Sequence, residues 1–282
     1  MPKSLDYTEK VCYNTSAQNV TKNAKMKNND FCRIKTLEVK MSKKVKLSLI
    51  ISVVLVALLL GSFGVYVACG YKADDTAEAL LEAENVEEKR GYIVVSPALS
   101  NGVGFIFYPG ANVEYTAYLP LMDQLADRGI TCYLMKMPCN MAIMDTNRAD
   151  RIFENHGDEH STWLIGGHSM GGAMASKYAS ENGDKIDGLV LLGAYPYGDY
   201  SADKTIAIYG SLNVSVKEEL EAQNYSGETY VIEGGNHAYF GNYGEQAGDP
   251  VGEISREEQQ EDAVNVIWAW TLKLLALSSI TN

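Results

Sequence analysis

The sequence Gly-His-Ser-Met-Gly at residues 167–171 is the most informative motif of this chain. An apolar run at residues 163–165 precedes it and small residues follow it, which predicts a strand before the turn and a helix after it. On such a tight turn the central serine is strained, and the residues two before and two after it need to lack a side chain. Gly167 and Gly171 meet this need, so Ser169 is the candidate nucleophile.

Beyond residue 90, short apolar runs bounded by glycine or proline alternate with helical patterns. Strands are predicted at Tyr92–Val95, Gly104–Tyr108, Thr131–Met135, Thr162–Ile165, Gly188–Leu192, Thr205–Tyr209 and Thr229–Ile232. Helices are predicted at Thr116–Arg128, Gly171–Ser180 and Ser255–Leu275. This alternation is typical of βα units, so we expect an α/β fold with a mostly parallel sheet and helices on both faces.

Four segments resemble motifs of the α/β-hydrolase superfamily, and more narrowly those of small membrane-anchored hydrolases related to the dienelactone hydrolases. They are Ile106–Ala111, Gly166–Gly172, Ile208–Asn213 and Ile232–Ala238, and they occur in the order of that family. The resemblance covers about residues 91–276. It implies a serine that forms an acyl-enzyme during ester hydrolysis, and it implies no cofactor.

A serine hydroxyl is a poor nucleophile unless a base removes its proton. Of the four histidines, His237 follows the last predicted strand, where the family has its general base. Backbone N–H groups stabilise the oxyanion of the tetrahedral intermediate. The family's two donors correspond to Ala111 and Met170, and Gly110 is expected to bring the loop backbone close to substrate.

The position of the acid departs from the family, because Asn213 stands where Asp is usual. Three interpretations are open. A nearby carboxylate substitutes, and the three considered are Asp199, Asp203 and Glu218. Alternatively, Asn213 itself orients His237 with weakened activity, as Asn does in Cys-His-Asn proteases. In the third interpretation the domain has lost catalysis and serves as an extracellular binding module.

The short connection between the strand ending near Tyr195 and the next one at Thr205 leaves no room for a helical lid. An open, lidless cleft favours short acyl esters, on a small molecule or on a polymer, over bulk lipid. Transfer of the acyl group to another acceptor would use the same residues. Tyr239 and Phe240, after the base, are expected to line the substrate cleft, with an aromatic surface loop as the alternative.

An uncharged apolar segment runs from Leu47 to Gly70. At ~1.5 Å per helical residue it is long enough to cross a hydrocarbon core of about 30 Å, so we expect a transmembrane helix. Basic residues precede it and acidic residues follow it, namely Lys43, Lys44 and Lys46 before, and Asp74, Asp75 and Glu78 after. The positive-inside rule then predicts a single-pass protein of the cell membrane, with a cytoplasmic N-terminus and an extracellular domain. A cleaved signal peptide is the alternative.

The net charge of −12 is unevenly distributed, because residues 1–46 hold 11 Lys and Arg against 4 Asp and Glu, which leaves −19 for the rest. An acidic outward domain argues against nucleic acid as a partner. No spacing of Cys and His is typical of a metal site, so none is expected.

The predicted organisation has five parts. Residues 1–46 are a polar, basic and disordered cytoplasmic segment, and residues 47–70 are the transmembrane helix. An acidic stalk follows at residues 71–90. The hydrolase domain occupies residues 91–276, and residues 277–282 are a tail.

Overall fold

The structure is a computed structural model that describes residues 42–281 of the 282-residue chain. Within that range, eight strands are formed: β1 Val86–Lys89, β2 Tyr92–Val95, β3 Val103–Tyr108, β4 Thr131–Met135, β5 Thr162–His168, β6 Gly188–Leu192, β7 Thr205–Gly210 and β8 Glu228–Ile232. The α-helices are α1 Lys43–Ala68, α2 Asp75–Ala79, α3 Leu119–Ala126, α4 Asp150–His156, α5 Met170–Glu181, α6 Val214–Ala222 and α7 Arg256–Thr281. Disorder was expected for residues 1–46, and residues 1–41 of this segment lie outside the described residues. Of the remainder, Lys43–Lys46 belong to α1.

One eight-stranded sheet has the order β1-β2-β4-β3-β5-β6-β7-β8. The pairs β1/β2 and β2/β4 are antiparallel. Every other neighbouring pair is parallel. The expected α/β fold with a mostly parallel sheet is therefore confirmed, and each predicted strand is present with small changes at its ends.

The sheet buries both of its faces, because successive side chains of a strand point in opposite directions. In β3, Phe105 and Phe107 pack with residues of α3 and α7, whereas Ile106 and Tyr108 pack with residues of α4, α5 and α6. The predicted helices on both faces are therefore confirmed.

The stalk expected at residues 71–90 is wrong, because this segment packs onto the domain. Tyr71 forms a β-bridge with Val113, and Ala77 in α2 is fully buried. Strand β1 extends the sheet beyond β2. The acidic residues that suggested a solvated stalk, such as Asp75 and Glu78, are exposed, whereas Ala73, Leu80 and Val86 pack against the core. The expected tail at residues 277–282 is wrong as well, since α7 continues to Thr281.

The first residues of α3 and of α7 are explained by the side chains at these helix ends. The helix predicted from Thr116 instead has a 3₁₀ turn at Tyr115–Tyr118, and α3 begins at Leu119 with a proline in its first turn. Proline lacks an N–H, but the N–H groups of the first turn have no acceptor within the helix, so proline is tolerated there and favours a helix start. For α7 the predicted capping box is confirmed: the Ser255 N–H donates to the Glu258 carboxylate, and the Glu258 N–H donates to Ser255 Oγ.

The carboxyl ends of β3, β5, β7 and β8 lie at the same edge of the sheet, because these strands are parallel neighbours. In open α/β sheets, ligands bind at this edge.

The correction to residues 71–90 predicts a contrast between two neighbouring alanines. Ala77→Asp would place a carboxylate in a fully buried position, and we expect the free energy of unfolding to fall by about 3 kcal/mol. Ala79→Asp, at an exposed position two residues further along the same helix, should change it by less than about 0.5 kcal/mol. Urea unfolding of the full chain in detergent measures both. Equal values for the two variants would support a solvated stalk.

Candidate active site

Ser169 lies on the turn between β5 and α5 with φ 54° and ψ −124°, a conformation that non-glycine residues rarely adopt. The surrounding backbone explains why glycine flanks it. A Cβ on Gly167 would lie 2.5 Å from the carbonyl oxygen of Tyr108, and one on Gly171 would lie 2.1 Å from the same oxygen. No side chain fits at either position, so both positions require glycine, as the sequence predicts.

The structure brings the predicted base and Asn213 into contact. His237 follows β8 and is partly exposed, while Asn213 follows β7 and is buried. The amide nitrogen Nδ2 of Asn213 lies 2.7 Å from Nδ1 of His237. The amide oxygen Oδ1 accepts a hydrogen bond from Ser215 Oγ at 3.0 Å. In this orientation Asn213 donates and Nδ1 accepts.

This orientation decides the tautomer of the imidazole. If Nδ1 accepts, the single proton of neutral His237 resides on Nε2, which then cannot accept the proton of a serine hydroxyl. Rotation of the Asn213 amide by half a turn directs Oδ1 toward Nδ1 and Nδ2 toward Ser215 Oγ. A hydroxyl both donates and accepts, so Ser215 satisfies either orientation. The productive tautomer therefore requires the rotated amide.

Ser169 and His237 line one cavity of about 240 Å³, which we call the base-side cavity. Within residues 42–281, no hydrogen bond joins the Ser169 hydroxyl to the His237 ring. Catalytic hydrogen bonds are often long in the absence of substrate and tighten when it binds.

The carboxylates considered as substitutes for the acid do not contact the base. Asp199, Asp203 and Glu218 are exposed, and of the described side chains Asn213 is the one hydrogen-bonded to the His237 ring. The carboxylate that does act on His237 is Asp249, which accepts hydrogen bonds from the backbone N–H of His237 at 3.2 Å and of Ala238 at 2.8 Å. Sequence reasoning missed Asp249, because no motif marks it.

Burial lowers the pKa of His237 from its usual 6.5, and the negative charge of Asp249 opposes that change. Burial also lowers the pKa of His168, well below its usual range, and the neighbouring His237 adds to the effect. Both imidazoles are therefore neutral at physiological pH.

The backbone supplies two unpaired N–H groups next to Ser169. Ala111 follows β3 through Pro109 and Gly110, and Met170 is the first residue of α5. No described residue accepts a hydrogen bond from either N–H, as expected for a helix start and for an irregular loop. These two N–H groups stay the candidates for the oxyanion donors that the sequence predicts.

A buried chain of hydrogen bonds joins the three active-site loops. The Gly110 N–H donates to the Tyr118 hydroxyl oxygen at 3.1 Å, so that hydroxyl donates its own proton to His168 Nδ1 at 2.8 Å. His168 Nε2–H then donates to the backbone carbonyl of His237 at 2.9 Å. Gly110 has no room for a side chain, because a Cβ would lie 2.8 Å from both Tyr118 and His168.

Two predicted substrate-binding residues lie elsewhere. Tyr239 and Phe240 are buried in the core, where the Phe240 ring packs against His168 at a centroid distance of 5.7 Å. The prediction that they line the cleft is therefore wrong for both. Gln246 and Ala247, further along the same segment, lie beside Ser169 instead.

In the part of the chain that the structure describes, no group of three or more His, Cys, Asp or Glu residues is arranged to hold a metal ion.

The sequence matches the model of one protein family, described as "Alpha/beta hydrolase family", over residues 104–261, which is more than half of the chain. No curated protein matches the sequence.

Many solved structures resemble this one at low sequence identity. The dienelactone hydrolase of Anabaena variabilis is 17% identical, with a TM-score of 0.45, 64% of this chain covered and 90% of the other. A soluble variant of the monoglyceride lipase of Saccharomyces cerevisiae is 11% identical, with a TM-score of 0.48 and coverages of 67% and 94%. A carboxyl esterase of Bacillus coagulans is 11% identical, with a TM-score of 0.45 and coverages of 67% and 98%.

Removal of the central hydroxyl of the buried chain tests how much it stabilises the loops. Tyr118→Phe leaves the Gly110 N–H and His168 Nδ1 without partners, so we expect the free energy of unfolding to fall by about 1–3 kcal/mol. Tyr230→Phe, at an exposed tyrosine, is the matched control and should stay within about 0.5 kcal/mol. Urea unfolding in detergent compares them. A Tyr118→Phe value as small as the control's would show that the chain contributes nothing to stability.

Proposed function

This chain belongs to the alpha/beta hydrolase family, and on that premise we propose that it is a membrane-anchored serine hydrolase that cleaves carboxylic esters through an acyl-enzyme. One observation carries the proposal: Ser169 occupies a strained turn at the sheet edge, and His237 lines the same cavity. Strain of this kind persists where the surrounding structure enforces it, and it clusters at active sites.

The reaction proceeds in two halves. Ser169 Oγ attacks the ester carbonyl carbon while His237 Nε2 takes the hydroxyl proton, and the carbonyl oxygen becomes an oxyanion between the N–H groups of Ala111 and Met170. The intermediate collapses, the bond to the alcohol oxygen breaks, and His237 returns the proton to that oxygen. Water then attacks the acyl-enzyme by the same steps, which releases the acid and restores Ser169.

Asn213 makes this site weaker than one with an aspartate. The amide holds the ring of His237 in place, but it carries no charge to stabilise the imidazolium that forms during proton transfer. In a serine protease, the change of the triad Asp to Asn lowers kcat by roughly 10⁴. Asp249 supplies a negative charge from the backbone side of His237 and offsets part of this loss.

The anchor is the second part of the proposal. Helix α1 is long and apolar enough to span a membrane, by length and composition. Lysines precede its apolar core and acidic residues follow it, which supports a cytoplasmic N-terminus and an outward-facing hydrolase domain in the cell membrane.

A second candidate function is a binding domain without catalysis. The observation that favours it is the Asn213 Nδ2 atom facing His237 Nδ1, which selects the unproductive tautomer.

Asn213→Asp separates these functions. A carboxylate accepts from Nδ1–H, fixes the productive tautomer and stabilises the imidazolium, so we expect kcat/KM on p-nitrophenyl acetate to rise by about 10²- to 10⁴-fold. Ser169→Ala, alone and with Asn213→Asp, gives the inactive baseline. Unchanged activity in an already active protein would point to a substitute acid. Absence of activity in both forms would favour the binding domain.

The pH profile tests His237 as the base. Because the proton must be absent from His237 for it to act, kcat/KM rises with pH, and since burial lowers its pKa, the midpoint should lie below 6.5. Asp249→Asn removes the charge that raises this pKa, so the midpoint should move to lower pH. Asp199→Asn, at an exposed carboxylate, should leave the midpoint in place. A shift to higher pH in Asp249→Asn would contradict the assignment of His237.

A further inference from the structure

Two cavities meet at Ser169. The base-side cavity is lined by Met170, Tyr195, Val216 and His237 among others. The second, of about 350 Å³, lies on the other side of Ser169, and we call it the anchor-side cavity. Its walls are the end of α1 with the residues that follow, the loop that carries Ala111, and the segment after the base; they include Tyr66, Cys69, Tyr71, Ala111, Gln246 and Ala247.

The end of α1 and the residues after it are hydrogen-bonded to the loop that carries Ala111, which we call the oxyanion loop. The Tyr71 N–H donates to the Asn112 carbonyl at 2.8 Å, and the Glu114 N–H donates to the Tyr71 carbonyl at 2.9 Å. The Asn112 side chain donates to the Tyr66 carbonyl at 2.8 Å. Gly70 fits this contact because a Cβ there would lie 2.7 Å from the Asn112 amide oxygen. The anchor-side cavity is therefore a built part of the fold.

The length of the apolar segment gives the depth of this cavity in a membrane. About 20 apolar helical residues cross a hydrocarbon core of about 30 Å, and counted from Leu47 they end at Tyr66. Tyrosine is enriched at the boundary between hydrocarbon and headgroups. Tyr66 is half-exposed at this boundary, and Cys69 and Tyr71 follow within the next turns. The anchor-side cavity then opens at the level of the lipid headgroups.

Proton transfer assigns the two halves of an ester to the two cavities. His237 returns a proton to the alcohol oxygen, so the alcohol extends toward the cavities that His237 lines. These are the base-side cavity and a neighbouring one of about 280 Å³ that Asn213 and Ser215 also line. The acyl chain extends from the carbonyl carbon in the other direction. It enters the anchor-side cavity, which His237 does not line.

We propose that the enzyme takes its substrate from the membrane that anchors it. The substrate is a long-chain acyl ester of a small polar alcohol, whose chain stays in the outer leaflet while its carbonyl reaches Ser169 between the end of α1 and the oxyanion loop. This inference rests on the proposed function and narrows its substrate class. It replaces the expectation of short acyl esters, because the bilayer supplies the apolar surroundings that a lid supplies in other enzymes.

The test blocks the anchor-side cavity in the full chain, reconstituted in phosphatidylcholine vesicles. Cys69 lines the cavity and is exposed, while Cys132 is buried. In a background that combines Cys12→Ser, Cys32→Ser and Cys139→Ser, a bulky membrane-impermeant maleimide is attached to Cys69. Two esters of one alcohol are compared before and after treatment: monooleoylglycerol in the vesicles and monobutyrylglycerol in water. The same background with Cys69→Ser is the matched control. It is treated identically and compared with its own untreated activity.

We expect treatment to lower monooleoylglycerol hydrolysis at least about tenfold, while monobutyrylglycerol hydrolysis stays within about twofold. The matched control should not respond to the reagent. An equal loss on both esters, or no loss on either, would overturn the proposed substrate class while leaving the serine hydrolase intact. Absence of hydrolysis of both esters before treatment would instead contradict the proposed function itself.

Discussion

The close approach of the end of β3 to the turn after β5 is the constraint on which the rest of the site depends. The carbonyl oxygen of Tyr108 occupies the space that side chains on residues 167 and 171 would need. This contact holds Ser169 at φ 54° and brings the loop that carries Ala111 beside it. Both proposed oxyanion donors follow from the same packing, since one N–H begins a helix and the other lies in an irregular loop where no described residue accepts from it.

Hydrogen bonds connect His237, the proposed base, to that turn, but its side-chain partner Asn213 lacks the negative charge of the usual aspartate. The hydrogen-bond chain from Gly110 through Tyr118 and His168 ends on the backbone of His237, so it connects the loop that carries Ala111 with the segment that carries His237. Asn213 holds the ring but is neutral. The proposed base therefore has an uncharged hydrogen-bond partner, and burial lowers the pKa of its imidazole.

Much of the fold and of the candidate site could be predicted from local sequence patterns. The features that depend on long-range contacts could not. The strands and the glycines around Ser169 could be predicted because each depends on neighbours in sequence, and the fold class followed from their alternation. The packing of residues 71–90 could not, because it depends on contacts such as Tyr71 with Val113. Asp249 acts on His237 through backbone hydrogen bonds, which leave no motif. Sequence reasoning assigns Phe240 to the cleft, because the neighbouring residues do not indicate which aromatic side chain of a glycine-rich segment faces the core.

The most direct test of the central claim is the site of covalent modification by a fluorophosphonate, mapped by peptide mass spectrometry on the full chain. Such reagents need an activated serine and no knowledge of the substrate. We expect one phosphonyl adduct, on the peptide that contains Ser169, and its loss in Ser169→Ala. Absence of any adduct, or an adduct on another serine such as Ser215 that persists in Ser169→Ala, would contradict it.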